Sequence, residues 1–217
     1  MISILEEGGL IQFLYFLPAL LLSLSIHEFG HAWVAYKLGD NSQRARGRLT
    51  LSPFAHIDPI GFAAIALIGI GWGKPVVVDD SNFEKRGKGN MLVSLAGPAF
   101  NVLLAIIITV LLKLCMVFGL SDWLVNNSIA SIVLEILTYT IIFNVSFAAF
   151  NLIPFPPLDG SKILYYFLPY NAKGIMAKME EYSFIFLAIL FFTDIVEYIM
   201  APVSMAIYFI LGLILSI

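Results

Sequence analysis

The residues most able to carry out chemistry lie together in the stretch HEFGH at 27–31. In a helix, His27 and His31 would lie one turn apart on the same face, so both imidazoles could bind one metal ion. Glu28 follows about 100° around the helix, near enough to reach a water on that ion without binding the ion. In zinc hydrolases with the pattern H-E-x-x-H, the histidines bind the metal and the glutamate accepts a proton from the water. The alternative is that these side chains only hydrogen-bond inside a helical bundle.

The surroundings of HEFGH are strongly apolar. Residues 8–26 carry no charge, and the whole chain is 60% hydrophobic and 12% charged, with a mean hydropathy of +0.92. A soluble domain carries about a quarter charged residues, so this composition predicts a polytopic membrane protein. Ionisable side chains at membrane depth are costly and usually functional, which favours a metal site. The helical row through the histidines also contains Ala19, Ser23 and Ala35, small residues that favour close packing against other helices.

Other features of the composition exclude several classes of protein and site. The single cysteine, Cys115, excludes an intramolecular disulfide and a tetrathiolate zinc site. The N-terminus is acidic and no small-residue cleavage site follows it, so residues 11–36 are predicted to be a retained helix and not a signal peptide. The net charge of −3 gives no indication of a nucleic-acid partner.

The apolar segments predict an all-α helical bundle of about four to six transmembrane segments. A bilayer core takes about 20 apolar helical residues, and four segments meet that length: 10–36, 91–118, 129–153 and 198–217. Residues 60–72 are too short and glycine-rich, which favours a re-entrant loop or a buried segment over a span. Residues 182–197 could be an interfacial helix or a fifth span. The stretches 47–52 and 74–79 are predicted as short membrane-associated β-strands, and 1–217 as a single membrane domain with its core at 10–170 and C-terminal helices at 180–217.

The basic residues predict the orientation of the spans. Eleven of the twelve fall on one side if residues 60–72 enter and leave by the same face; Lys113 is the exception. Because cytosolic loops are rich in Lys and Arg, the N-terminus is predicted to lie outside a cell membrane that the chain crosses several times. HEFGH then lies toward the cytosolic end of its helix.

A catalytic zinc needs a third protein ligand, and the chain offers Asp159, His56 and a few other carboxylates. Asp159 follows the third span in the sequence NLIPFPPLDG, whose prolines could turn the carboxylate back toward the first helix. Asp159 could instead cap a short helix at 160–168. Asn151 is a plausible donor to an oxyanion, whereas Asn101 and Asn144 are predicted to be interhelical hydrogen-bonding groups.

These motifs resemble the site-2 protease family of intramembrane zinc metalloproteases. The resemblance rests on HEFGH at 27–31, AGPAFN at 96–101 and NLIPFPPLDG at 151–160. It implies one zinc ion per chain with His27, His31 and Asp159 as ligands, Glu28 as general base and Asn151 as an amide that contacts the substrate or oxyanion. It also implies a membrane-dipping loop near the site. Residues 39–90 are too short for an inserted PDZ domain, so the resemblance is to a minimal form without PDZ or nucleotide-sensing domains.

Three functions are compatible with the sequence. The first is an endopeptidase that cuts transmembrane proteins or peptides in the lipid bilayer, and one of the extended stretches could hold the unwound substrate by β-addition. The second is a transporter or channel that uses the His, Glu and Asp cluster for ions or protons. The third is a catalytically silent membrane-protein binder. The intact motifs favour the endopeptidase, and whether it forms a homo-oligomer is left open.

Overall fold

The computed structural model describes residues 9–68, 71–193 and 195–216, and these are mostly helical. The α-helices are α1 (Gly9–Lys37), α2 (Ser42–Ala45), α3 (Pro59–Ile68), α4 (Arg86–Val117), α5 (Ser121–Asn126), α6 (Ser128–Asn151), α7 (Asp159–Phe167), α8 (Tyr170–Glu181), α9 (Ser183–Phe192) and α10 (Ile195–Ser216). Of these, α1, α4, α6 and α10 are long and apolar enough to cross a membrane. They correspond to the four predicted spans and confirm an all-α polytopic membrane protein.

Two short helices replace the ambiguous apolar segments. Helix α3 has ten residues, a length of about 15 Å, so it cannot cross the hydrocarbon core alone, in agreement with the prediction for 60–72; residues 69–70 lie outside the described part. Helix α9 also has ten residues, and Thr193 separates it from α10. The segment 182–197 is therefore not a continuous fifth span; its Asp194 lies outside the described residues.

The two predicted strands do not form a sheet. Among the described residues, the recorded β-pairing is a single antiparallel bridge between Ile57 and Gly73. Residues 47–52 and 74–79 are irregular. The physical reason is visible at 74–79, where side chains of α1 and of the loop after it bind backbone groups that a neighbouring strand would otherwise pair.

The core of the bundle is the mutual contact of α1, α4 and α6. The row predicted from the sequence is buried on α1: Ala19, Ser23, His27, His31 and Ala35 are each 8% exposed or less. On the other side, α10 packs on α4 and α6 through Ala105, Val145, Ala148, Ile207 and Leu211. Small side chains at these contacts let the helix backbones approach closely, which is how helices associate in lipid.

Side-chain contacts fix the relative directions of the spans. His31 near the end of α1 bonds the carbonyl of Val93 near the start of α4, so these two helices are antiparallel. The ammonium of Lys113 bonds the carbonyl of Leu215 at 2.8 Å, which places the C-terminal ends of α4 and α10 side by side. The remaining helix, α6, runs parallel to α1, since Ser23 contacts Asn144 and His27 lies beside Phe147.

Candidate metal centre

Three buried side chains converge between α1, α4 and α7. The Nε2 atoms of His27 and His31 lie 3.1 Å apart. The Oδ2 atom of Asp159 lies 3.3 Å from the first and 3.1 Å from the second. All three residues are buried, and they form the one group of His, Cys, Asp and Glu in the described residues that could hold a metal.

The protonation of the two imidazoles follows from their other nitrogen atoms. The Nδ1 of His31 lies 2.7 Å from the backbone carbonyl of Val93, which can only accept, so Nδ1 must carry the proton. The Nδ1 of His27 lies 2.7 Å from Oδ1 of Asn101 and donates in the same way. In neutral imidazoles with this tautomer, both Nε2 atoms present lone pairs to each other and to the carboxylate.

Three lone-pair-bearing atoms at mutual contact repel each other unless a cation lies between them. One proton could bridge one pair of these atoms but not all three pairs. The Oδ2 of Asp159 is buried and has no hydrogen-bond partner among the described residues. Four ligands around zinc at 2.0–2.1 Å are separated by about 3.3 Å in a tetrahedron, close to the distances observed here. Two imidazoles and one carboxylate are also a ligand set that catalytic zinc uses, so the three residues fit this ion.

Asp159 reaches the histidines because it begins a helix directly after a proline-rich turn. Leu158 is the N-cap of α7, and Asp159 is the first helical residue. Helix α7 packs on α4, which brings the carboxylate to the histidines of α1. A short helix does follow, as the alternative interpretation expected, but the Asp159 side chain faces the imidazoles and does not cap it.

Gly97 provides the space that the imidazoles occupy. A Cβ atom at Gly97 would lie 2.5 Å from Nε2 of His31 and 2.6 Å from Cε1 of His27. Sequence reasoning assigned no function to Gly97 or to the carbonyl of Val93. The motif AGPAFN contained the signal for Gly97, since a glycine in a transmembrane helix often marks close approach; a backbone carbonyl leaves no signal in a sequence.

Glu28 is held by the 74–79 segment. Its Oε2 accepts the N–H of Val76 at 2.9 Å. This segment is itself fixed by the loop after α1 and by α2, because Asp40 accepts the N–H of Asp79 at 2.9 Å and Gln43 donates to the carbonyl of Val77. A carboxylate accepts several hydrogen bonds, so Glu28 keeps capacity for a water.

An apolar cavity of about 420 Å³ lies on the His27 side of the metal-binding group. Phe147 belongs to its wall, and the Phe147 ring lies 6.2 Å from the His27 ring. The wall is formed by α1, α3, α6, the start of α10 and the 71–73 stretch, and most of its side chains are aliphatic or aromatic. Such a cavity can bind apolar side chains next to the metal-binding group.

The other residues considered from the sequence are not members of the metal-binding group. Asn151 ends α6 and donates one amide hydrogen to the carbonyl of Phe147 at 3.0 Å. His56 is fully buried and lies outside the metal-binding group, with its Nε2 2.9 Å from the carbonyl of Thr50. Asn101 and Asn144 bond to each other between α4 and α6, as predicted.

Comparison with known proteins identifies the family. The model of the family described as "Peptidase family M50" matches residues 15–120 and 114–193. "Putative zinc metalloprotease YwhC" of Bacillus subtilis is 36% identical over 188 residues, which cover 87% of this chain and 84% of that protein. "Putative zinc metalloprotease Rip2" of Mycolicibacterium smegmatis is 32% identical over 187 residues, covering 83% of this chain and 68% of the relative. No solved structure matches the chain.

Four helices of membrane-spanning length, the buried metal-binding group and the family match agree with one another. The chain belongs to Peptidase family M50, the site-2 protease family, and is a multi-pass membrane metalloprotease.

Proposed function

We propose that this protein is an intramembrane zinc metalloendopeptidase that cuts peptide bonds within or near the transmembrane segments of other proteins. The observation that carries the proposal is the convergence of His27, His31 and Asp159 inside a bundle of membrane-spanning helices. Regulated proteolysis of membrane proteins and clearance of signal-peptide remnants are both reactions of this kind. The N-terminus is proposed to lie outside the cell membrane, with the metal centre toward the cytosol.

His27, His31 and Asp159 would hold one zinc ion per chain, leaving a coordination position for water or substrate. When bound, zinc polarises a carbonyl oxygen and lowers the pKa of a bound water to about 7. Gly97 on α4 leaves room for the two imidazoles that would hold the ion.

Glu28 is the proposed general base. It accepts a proton from the attacking water and then donates it to the amine that leaves when the peptide bond breaks. The hydrogen bond from Val76 restricts the carboxylate to one position during both transfers. Asn151 has a second amide hydrogen besides the one bonded to Phe147, and this hydrogen is proposed to bind the oxyanion of the tetrahedral intermediate.

The substrate is proposed to be a transmembrane segment that unwinds locally, because a helix hides its carbonyl groups in internal hydrogen bonds. Apolar side chains around the cut bond would enter the cavity beside Phe147. The 74–79 segment, which lies next to Glu28, is proposed to bind the unwound backbone by β-addition through the backbone groups that Glu28, Asp40 and Gln43 leave free, such as those of Val78.

A single comparison tests this function. Wild type and Glu28→Gln are each co-expressed with a set of epitope-tagged single-span membrane proteins, and cleavage and zinc content are measured. We expect the variant to keep about one zinc per chain and to lose cleavage by about 100-fold or more, since a general base contributes that much. Equal cleavage by the two proteins would refute the proposal. Loss of zinc in Glu28→Gln would assign Glu28 to metal binding instead.

The transport alternative is not favoured by any observation on the described residues. A transport site must release its ion readily, whereas the three ligand atoms here are buried and both imidazoles are held by further hydrogen bonds. Slow exchange of bound zinc in the purified protein would agree with catalysis.

A further inference from the structure

A chain of buried hydrogen bonds runs across three helices and ends on His27. It connects the carbonyl of Thr140, the amide of Asn144, the amide of Asn101 and Nδ1 of His27 in that order. The three contacts measure 2.7 Å each. The side chains of Asn101 and Asn144 are fully buried, so water does not compete for these bonds.

The direction of every bond in this chain is determined. The carbonyl of Thr140 can only accept, so the Nδ2 of Asn144 must face it and Oδ1 must face Asn101. Asn101 therefore presents its Nδ2 to Asn144, and its Oδ1 is left for His27. An amide oxygen only accepts, so His27 must donate from Nδ1.

Ser23 on α1 confirms this direction independently. The Nδ2 of Asn101 also donates to the carbonyl of Ser23 at 3.0 Å. The hydroxyl of Ser23 donates to the carbonyl of Ala19 at 2.8 Å, so it accepts from Nδ2 of Asn144 at 2.8 Å. Reversing either amide would place two acceptors against each other in a buried site, which costs free energy.

We propose that Asn101 and Asn144 are positioning residues for the metal centre, which fix the tautomer and the ring orientation of His27 so that its Nε2 lone pair points at the metal. Asn101 acts directly on the imidazole and Asn144 acts through Asn101. The inference rests on the metal site of the proposed function. It extends that site from the ligands on α1 and α7 to an amide pair on α4 and α6. The packing of α4 and α6 against α1 then also sets the orientation of the ligand His27.

The first experiment uses wild type only and reads the tautomers directly. The chain has three histidines, so a ¹⁵N-histidine NMR spectrum of the metal-free protein in detergent, at a pH where imidazoles are neutral, can be assigned by single substitutions. We expect Nδ1–H for His27 and His31. His56 faces the carbonyl of Thr50 through Nε2 and should show the opposite tautomer. An Nε2–H tautomer at His27 would overturn the inference even if the protein cleaves substrates.

The second experiment compares Asn101→Leu and Asn144→Leu with the control Thr109→Val. Thr109 is buried on α4, and its hydroxyl bonds the carbonyl of Ala105 in its own helix, so the control also removes one buried polar group. Zinc affinity is measured by competition with a chromophoric chelator, and helix content by circular dichroism. We expect zinc affinity to fall by about 10- to 100-fold in Asn101→Leu and by about tenfold in Asn144→Leu, as removing outer partners of metal ligands does.

The visible spectrum of the Co²⁺-loaded protein gives a readout that general loss of packing would not give. We expect altered d–d bands in both asparagine variants and unchanged bands in Thr109→Val. If Asn144→Leu binds zinc as tightly as Thr109→Val, the amide pair has no positioning role. Failure of wild type to bind zinc would instead refute the proposed function, while the tautomer measurement still decides what Asn101 imposes on His27.

Discussion

At the residue scale, the centre depends on what surrounds the ligands as much as on the ligands. His27 and His31 could adopt many rotamers in an isolated helix. Here their Nδ1 atoms are fixed by an amide and a carbonyl of α4, and the absence of a side chain at Gly97 leaves room for both rings. The geometry of a metal site is maintained by such outer contacts.

Gly97→Ala should therefore disable the centre without changing a ligand. The added Cβ would lie 2.5–2.6 Å from the imidazole atoms, which forces the rings to move. We expect zinc affinity to fall by about 10-fold or more, as for loss of an outer-shell contact, and cleavage to fall with it. Zinc content by mass spectrometry and cleavage of a tagged membrane substrate measure both effects.

The matched control is Gly87→Ala on the same helix. A Cβ there would lie 3.7 Å from the ring of Tyr166, an ordinary contact. This variant should keep wild-type zinc content and cleavage. If both glycine variants behave alike, the effect at Gly97 is one of helix flexibility and not of space for the imidazoles.

At the scale of elements, the 74–79 segment has a role that a conventional strand would not have. It is irregular and pairs with no strand among the described residues, and side chains of Glu28, Asp40 and Gln43 bind its backbone. The same contacts that prevent a sheet therefore tie the proposed general base to the stretch that precedes α4.

Val76→Pro tests this link because it removes the N–H that bonds Glu28. We expect cleavage to fall by about tenfold or more, since a small misplacement of a catalytic group costs that much. Zinc content should not change, because the segment contacts none of the three metal-binding residues in the described contacts. The decisive measurement is cleavage at equal zinc loading.

Val76→Ala serves as the control for this prediction. It shortens the same side chain but keeps the backbone N–H and its bond to Glu28. Wild-type cleavage by Val76→Pro would show that the bond to Glu28 is not needed.

At the scale of the whole molecule, the helix directions and the charge pattern lead to one arrangement in the membrane. Helices α1 and α6 run one way, and α4 and α10 run the other way. Four spans of alternating direction place the loops after α1 and after α6 on the same side, and these loops carry most of the basic residues. By the positive-inside rule we expect that side to face the cytosol, as in the proposed orientation.

Cysteine labelling in intact cells tests this arrangement. In a Cys115→Ala background, Ala45→Cys after α1 and Asn171→Cys after α6 should react only after the cells are made permeable. Ser121→Cys, at the start of α5 between α4 and α6, should react with a membrane-impermeant maleimide without that treatment. All three sites are exposed in the structure. Labelling of Ala45→Cys in intact cells would invert the proposed orientation.

The sequence by itself determined the membrane class, the four spans and the residues that meet at the centre. Long apolar runs leave few alternatives to a helix in lipid, because each backbone N–H and C=O must be paired within its own segment. The spacing of His27 and His31 follows from helix geometry alone, and so does the buried row that contains them.

The tertiary structure alone decided which groups orient those residues. Val93 contributes its backbone carbonyl and Val76 its backbone N–H. Because nearly every residue has these groups, the residue type does not indicate their role. Residues 74–79 form no strand because side chains from residues 28–48, distant in sequence, hydrogen-bond to their backbone. HEFGH could thus be recognised from local spacing. The tautomers of its two histidines and the hydrogen bond that holds Glu28 arise only where α1 meets α4, α6 and the 74–79 segment.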